Sequence, residues 1–204
     1  MRKIILSLVL LSFSICAFSQ SDEINISAAF SQSIELKIIG DANVNFVFAT
    51  ISQYQNGYNT YDDAENAVHF QVASSTNFQI DVSHTAFTDG AGNTLDSRYF
   101  YYRLSYVGDI SEVGTRFVYT PGDRNDASGK GGPANLLDNT VRTLVEPGTS
   151  GNAGRFEENY YRMHFGCGNS TMRGVSGLPS LLDANITPGT YTAILTLTAV
   201  PVIL

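Results

Sequence analysis

The chain has 204 residues, and its 19 Asp and Glu against 12 Lys and Arg give a net charge of −7. Such acidity argues against nucleic acid or an anionic membrane as a partner, because both repel a negative surface. Its 18 Gly, 11 Tyr and 12 Phe, with only 15% charged residues, are typical of a β protein rich in turns.

The N-terminus has the pattern of a secretory signal peptide. Arg2 and Lys3 form a positive start, and residues 4–15 (IILSLVLLSFSI) form an apolar core. That core is too short for a membrane-spanning helix, which needs about 20 residues. Small residues before Gln20 predict cleavage after Ser19. We therefore expect residues 1–19 to be a signal peptide, export across the inner membrane, and a mature chain of net charge −9 once Arg2 and Lys3 leave.

A lipoprotein signal is the alternative at this end, because a lipidated Cys16 would then become the N-terminus. Ile15 argues against it, since these signals carry a small residue before the cysteine. The mature chain, residues 20–204, has the size of one domain and no second apolar stretch of spanning length. Its one remaining thiol, Cys167, cannot form an internal disulfide, and we predict that it is buried and inert.

The first part of the mature chain predicts a strand that is longer than usual. Residues 24–38 alternate between apolar and polar side chains, and the apolar side begins with Ile24, Ile26, Ala28 and Phe30. This run would extend for about 50 Å, whereas strands typically have 5–6 residues. Two interpretations stay open: the run bends at residues 31–33 and serves two sheets, or its first half pairs outside its own domain. The four apolar residues are our candidates for a partner strand.

Further alternating segments follow along the chain, separated by clusters of Gly, Asn and Asp. Together they predict an all-β fold, a single antiparallel β-sandwich of roughly nine strands, either immunoglobulin-like or jelly-roll-like. Exposed loops are predicted at residues 121–133 and 147–154, and helix only as brief turns at 135–137 or 180–182. The predicted strands lie in residues 44–48, 68–72, 78–82, 100–106, 117–119, 141–145, 160–165 and 191–199.

No motif in the sequence predicts a reaction, a cofactor or a metal centre. The three histidines lack metal-ligand spacing, and His69 and His164 are predicted to face solvent. The carboxylate pairs at 157–158 and 62–63 point to opposite sides of a strand and cannot converge. We therefore predict no catalytic residues, no cofactor and no metal.

Calcium is an open alternative in two loops, because carboxylate and amide oxygens there could act as ligands. The same residue types are also what turns select without a metal. The oxygen-bearing residues are Asp89, Asn93 and Asp96 in one loop, and Asp123, Asn125 and Asp126 in the other.

The end of the chain carries a family resemblance. Residues 186–198 (ITPGTYTAILTLT) resemble the closing strand of small secreted bacterial β-sandwich domains, the pilin-like and spore-coat-U-like families and related domains of unknown function. Residues 72–78 (VASSTNF) follow the same layout. The disulfide that is common in such pilins cannot form here. The resemblance implies a surface-exposed protein that is not an enzyme, and it transfers no catalytic residue.

Two functions are therefore predicted. The first is a secreted structural or adhesive β-sandwich protein of the cell surface, a subunit of a surface layer or pilus-like assembly, with residues 24–38 completing their own sandwich or a neighbour's sheet. The alternative is a non-catalytic carbohydrate-binding module in which Tyr99, Tyr101 and Tyr160 stack on sugar rings. The product is expected in the periplasm, on the cell surface or outside the cell.

Overall fold

The computed structural model describes residues 31–58, 67–107, 114–119, 135–137, 140–168 and 177–202. Apart from Ser31, these residues belong to the compact unit Gln32–Leu204. The residues predicted as signal peptide and as partner strand, Ile24, Ile26, Ala28 and Phe30 among them, lie outside the described residues, as do the loop at 121–133 and the carboxylate pair at 62–63.

Eleven strands and one α-helix occur within the described residues. Short 3₁₀ turns at Ser97–Tyr99 and Phe156–Glu158 precede two of the strands. The strands are β1 (Ile34–Ile39), β2 (Ala67–Ser74), β3 (Phe78–His84), β4 (Phe87–Thr88), β5 (Thr94–Leu95), β6 (Phe100–Tyr106), β7 (Phe117–Tyr119), β8 (Asn135–Leu136), β9 (Arg142–Pro147), β10 (Tyr160–Cys167) and β11 (Leu195–Pro201), and the helix is α1 (Ile51–Asn56).

The strands form two antiparallel sheets and a small hairpin. The first sheet has the order β1-β2-β10-β6-β8, the second has the order β11-β3-β9-β7, and β4 pairs with β5. The predicted all-β sandwich is therefore confirmed: the two sheets hold nine of the described strands, in line with the roughly nine expected, and the hairpin adds two more. Within the described residues, no helix has the length and apolarity needed to cross a bilayer.

The core lies between the sheets and follows from the alternation of the central strands. In β2 every second residue from Val68 to Ser74 is buried, and in β3 Phe78, Ile80 and Val82 are buried. Burying such a face stabilises the fold by about 25 cal/mol per Å² of apolar surface. The remaining fully buried large side chains are Tyr101, Tyr102, Leu104, Phe117, Leu144, Val145, Tyr161 and Met163.

Three local predictions were wrong. Residues 44–48 form no strand, although Val44 and Phe46 pack half-buried against the core. The turn predicted at residues 135–137 contains β8, which pairs with β6. Residues 31–33, where a bend in the long run was one of the two interpretations, are not part of β1, which begins at Ile34; the first half of that run lies outside the described residues. Helix is not confined to those turns, since Thr50 starts α1 with a capping box to Gln53.

Candidate functional site

In the part of the chain that the structure describes, the two sheets leave two long strands without a neighbour on one side. Among the described strands, the edges of the first sheet are β1 and β8, and those of the second are β11 and β7. β8 has two residues and β7 has three, whereas β1 has six and β11 has seven. Unpaired edge strands expose main-chain donors and acceptors that can accept another strand. The candidate site is therefore one of the two long edges.

The hydrogen bonds at both ends of β11 show which of its main-chain groups face outward. Val202 N donates to Asn77 O at 2.7 Å, and Thr85 N donates to Ile194 O at 2.9 Å. In an antiparallel ladder, bonded and non-bonded pairs alternate. With the register of β11 against β3, the residues bonded to β3 are Thr196, Thr198 and Val200, and those whose N–H and C=O groups face the open edge are Leu195, Leu197 and Ala199.

Pro201 occupies the last outward-facing position of β11. Opposite Phe78 it lies at a non-bonded position of the ladder, so its missing N–H would have pointed away from β3. Proline is tolerated in a sheet at such an edge position because no ladder bond is lost. The open edge of β11 therefore ends at Ala199.

The same reasoning applies to β1. Ser75 N donates to Ser33 O at 2.9 Å, so the ladder between β1 and β2 continues to Ser33. Alternation then turns the main-chain groups of Ile34, Leu36 and Ile38 toward the open edge. The intervening side chains, Glu35 and Lys37, are exposed and charged.

Charge and regularity distinguish the two edges. β11 (LTLTAVP) contains no charged residue and pairs with β3 without a register shift. Its Thr196 and Thr198 side chains are exposed, whereas Leu195, Leu197 and Ala199 are half-buried against the core. Charged side chains on an edge strand discourage strand addition, and an uncharged, regular edge permits it. β11 is therefore the better acceptor of the two.

β1 and β11 lie on the same side of the sandwich. Cα atoms of the two strands approach within 8 Å. Because paired strands are about 4.8 Å apart, a strand bonded to both edges would need a gap of about 9.6 Å. An added strand would therefore bond to one edge and not to both.

The tyrosines predicted to stack on sugars are not available for that role. Tyr99 and Tyr101 are only 4% and 1% exposed, and the Tyr101 hydroxyl donates to Tyr58 O at 2.7 Å. Tyr160 is half-buried and its hydroxyl lies 2.8 Å from His69 Nδ1. This part of the prediction was wrong, because the 3₁₀ turn and β6 direct both buried rings into the protein.

Burial and neighbouring charge shift the pKa values of two titratable groups that the sequence analysis considered, Cys167 and His69. Cys167 is buried at the end of β10, as predicted, and burial raises the pKa of its thiol far above the ordinary range. Partial burial, and then the positive charge of Arg162, lower the pKa of His69. His69 and His164 are only half-exposed, which corrects the prediction that they face solvent.

The first candidate calcium loop is closed by its own hydrogen bonds. Asp89 accepts bonds from the Ala91 and Asn93 amides and from Asn93 Nδ2, and the bond from the Asn93 side chain is the main cause of its lowered pKa. Asp96 binds Arg98 at 2.6 Å, and this bond lowers the pKa of Asp96. In the described part of the chain, no three His, Cys, Asp or Glu side chains come together as a metal site. The second candidate loop lies outside the described residues.

Comparison with known proteins assigns no family and no activity to this chain. No family model matches the sequence, and no curated protein matches it. A structural match is a family 123 glycoside hydrolase from Clostridium perfringens, studied for its hydrolysis of glycolipid glycans, with 11% identity and a TM-score of 0.33. The match covers 84% of this chain, which spans only 25% of the length of that protein.

The match to a glycoside hydrolase contradicts our prediction that the chain is not an enzyme, and we withdraw that prediction. At a TM-score of 0.33 the match carries no argument for a reaction, so no activity follows from it. The resemblance to pilin-like and spore-coat-U-like domains stays a prediction.

Proposed function

We propose that the protein is a secreted structural or adhesive subunit of the bacterial cell surface, and that its copies associate by strand addition. In this proposal, residues 24–30 of one copy add to the open edge of β11 in another. The export signal supports secretion, and the resemblance to pilin-like and spore-coat-U-like domains supports a surface assembly. The observation that carries the proposal is the open, uncharged edge of β11.

The sequence of the donor segment suits this edge. Residues 24–30 (INISAAF) are seven in number and uncharged, like β11 itself. An added strand with Ile24, Ile26, Ala28 and Phe30 on the core side would cover the half-buried Leu195, Leu197 and Ala199. Its Asn25 and Ser27 would then lie beside the exposed threonines. Main-chain hydrogen bonds supply affinity in such complexes, and alternating side chains supply specificity.

The position of β1 favours a donor from a neighbouring copy. Because the ladder to β2 already includes Ser33, only Ser31 and Gln32 remain to reverse the chain toward its own second sheet. Ser33 and residue 30 are three steps of at most about 3.6 Å apart, about 11 Å in all, and stacked sheets lie about 10 Å apart, so almost no length remains for the reversal. A neighbour's segment meets no such constraint.

Sedimentation velocity on two lengths of the chain tests the proposal. We expect the protein of residues 20–204 to form oligomers and the protein of residues 31–204 to be a folded monomer. A peptide of residues 23–30 should bind the shorter protein, and the same peptide with Ile26→Asp should not. If both lengths run as identical folded monomers, or if the peptide does not bind, strand addition is wrong.

Two proline variants locate the edge. Ala199→Pro removes an N–H that faces the open edge of β11 and no bond to β3, so we expect a folded monomer from residues 20–204. Ile38→Pro makes the matched change on β1 and should leave the oligomer intact. If Ile38→Pro dissociates the oligomer and Ala199→Pro does not, the acceptor is β1 and not β11.

A further inference from the structure

A cleft lies on the outer face of the first sheet, at the start of β1. It measures about 410 Å³ and opens between the start of β1, the end of β2 and the 3₁₀ turn at Phe156–Glu158. Its volume lies at the lower end of the range for small-molecule sites, about 300–1,000 Å³. The lining side chains that matter are Ser33, Glu35, Ser75, Arg155, Phe156 and Glu157.

Three charged side chains of this cleft form no bond with the rest of the described protein. Among the described residues, the side chains of Glu35, Glu157 and Arg155 make no hydrogen bond or ion pair. Two carboxylates and one guanidinium therefore remain available to a ligand, whereas the hydroxyl group of Ser75 is already bonded to the main chain of Ser33. The half-buried ring of Phe156 adds one apolar surface.

The turn that carries Arg155, Phe156 and Glu157 is fixed in advance. Gly154 and Ser74 exchange two main-chain bonds of 2.9 Å, and Arg155 N donates to Glu158 Oε2 at 2.7 Å. A Cβ atom at Gly154 would overlap the Glu158 carboxylate. Binding here would order little of the main chain, and groups that are already held cost less free energy to engage.

We propose that this cleft binds a neutral saccharide. Sugar hydroxyls donate to carboxylates and accept from a guanidinium, so a neutral polyol satisfies both signs of charge at once. The two carboxylates repel acidic sugars, phosphates and sulfates. The Phe156 ring offers an apolar surface to the C–H face of a pyranose. The open mouth of the cleft suits a ligand that stays partly hydrated.

The cleft is separate from the edge through which copies are proposed to associate. Glu35 lies on the outer face of β1, whereas Ile34 and Leu36 face the core, because successive residues of a strand point to opposite faces. We therefore expect variants of the cleft to lose saccharide binding without losing assembly, and variants of the β11 edge to lose assembly without losing saccharide binding.

A glycan array with neutral hexose oligosaccharides, sialylated glycans and sulfated glycosaminoglycans tests this with the protein of residues 20–204. We expect binding to at least one neutral glycan. Titration calorimetry with that glycan should show about tenfold or greater loss of affinity for Glu35→Ala and for Glu157→Ala, because each removes a charge-assisted hydrogen bond. Both positions are exposed and unpartnered, so the variants should fold normally.

Glu146→Ala is the matched control, since Glu146 is an exposed carboxylate on β9 of the other sheet. Its affinity should equal that of the unmodified protein. The proposal is overturned if no neutral glycan binds, if only acidic glycans bind, or if both cleft variants bind as tightly as the control.

Discussion

Replacing Asn152 by alanine is expected to destabilise the sandwich more than its position in a loop suggests. Asn152 has no exposed surface, and its side chain serves both main-chain groups of Phe78. Oδ1 accepts from Phe78 N at 2.9 Å, and Nδ2 donates to Phe78 O at 2.8 Å. The side chain thus acts as a strand partner at the start of β3, where the core begins.

The magnitude follows from the two groups that the substitution leaves unpaired. A buried donor or acceptor without a partner costs about 1–3 kcal/mol, so the loss is expected to be about 2–6 kcal/mol. Domains of this size are stable by only about 5–15 kcal/mol. The bonds from the Asn152 and Ala153 amides to Asn77 Oδ1 do not involve the lost side chain and should remain.

Urea unfolding followed by circular dichroism measures the effect. Asn45→Ala is the control, because Asn45 is exposed and makes no hydrogen bond among the described residues, and its free energy of unfolding should change by less than about 0.5 kcal/mol. A loss below about 1 kcal/mol for Asn152→Ala would refute the hydrogen-bond argument.

Four further outcomes are expected. Gly166→Ala should lower the melting temperature, because its Cβ would overlap the buried Tyr101 ring. The buried Cys167 thiol should react with a thiol reagent only after unfolding. Because its pKa is raised in the folded state, its contribution to stability is lost as pH rises above the ordinary thiol pKa, and Cys167→Ala should lack that part of the loss. Arg162→Gln should raise the pKa of His69, measured by NMR titration, because the positive charge of Arg162 lowers it.

The sequence predicted the fold wherever a strand was long enough to show its period. β2, β3, β6 and β10 alternate over seven or eight residues, and all four were found. β4, β5 and β8 have two residues each and show no period. Residues 44–48 alternate because one face packs on the core, which does not require strand pairing. Alternation of apolar and polar residues therefore indicates that one face is buried. Whether the segment is a hydrogen-bonded strand depends on a neighbouring strand, which alternation does not show.

The candidate sites depend on strand pairing and register, which the alternation of apolar and polar residues does not predict. The sequence predicted the last strand, yet that β11 is an edge follows from its pairing, among the described strands, with β3 alone. The cleft joins Glu35, Ser75 and Glu157 from three distant segments, and only strand register brings these together. The prediction of a sugar site at the tyrosines was wrong for the same reason. Alternation assigns the side chains of a strand to two faces, but it does not show which face other parts of the protein cover.

Amide hydrogen exchange along β11 tests the central claim most directly. Thr196 and Thr198 bond to β3, so their amides should exchange slowly in the proteins of residues 20–204 and 31–204 alike. The Leu197 and Ala199 amides face the open edge, so they should exchange fast in the shorter protein and slowly in the assembled longer one. Equal, fast exchange of Leu197 and Ala199 in both proteins would contradict strand addition at β11.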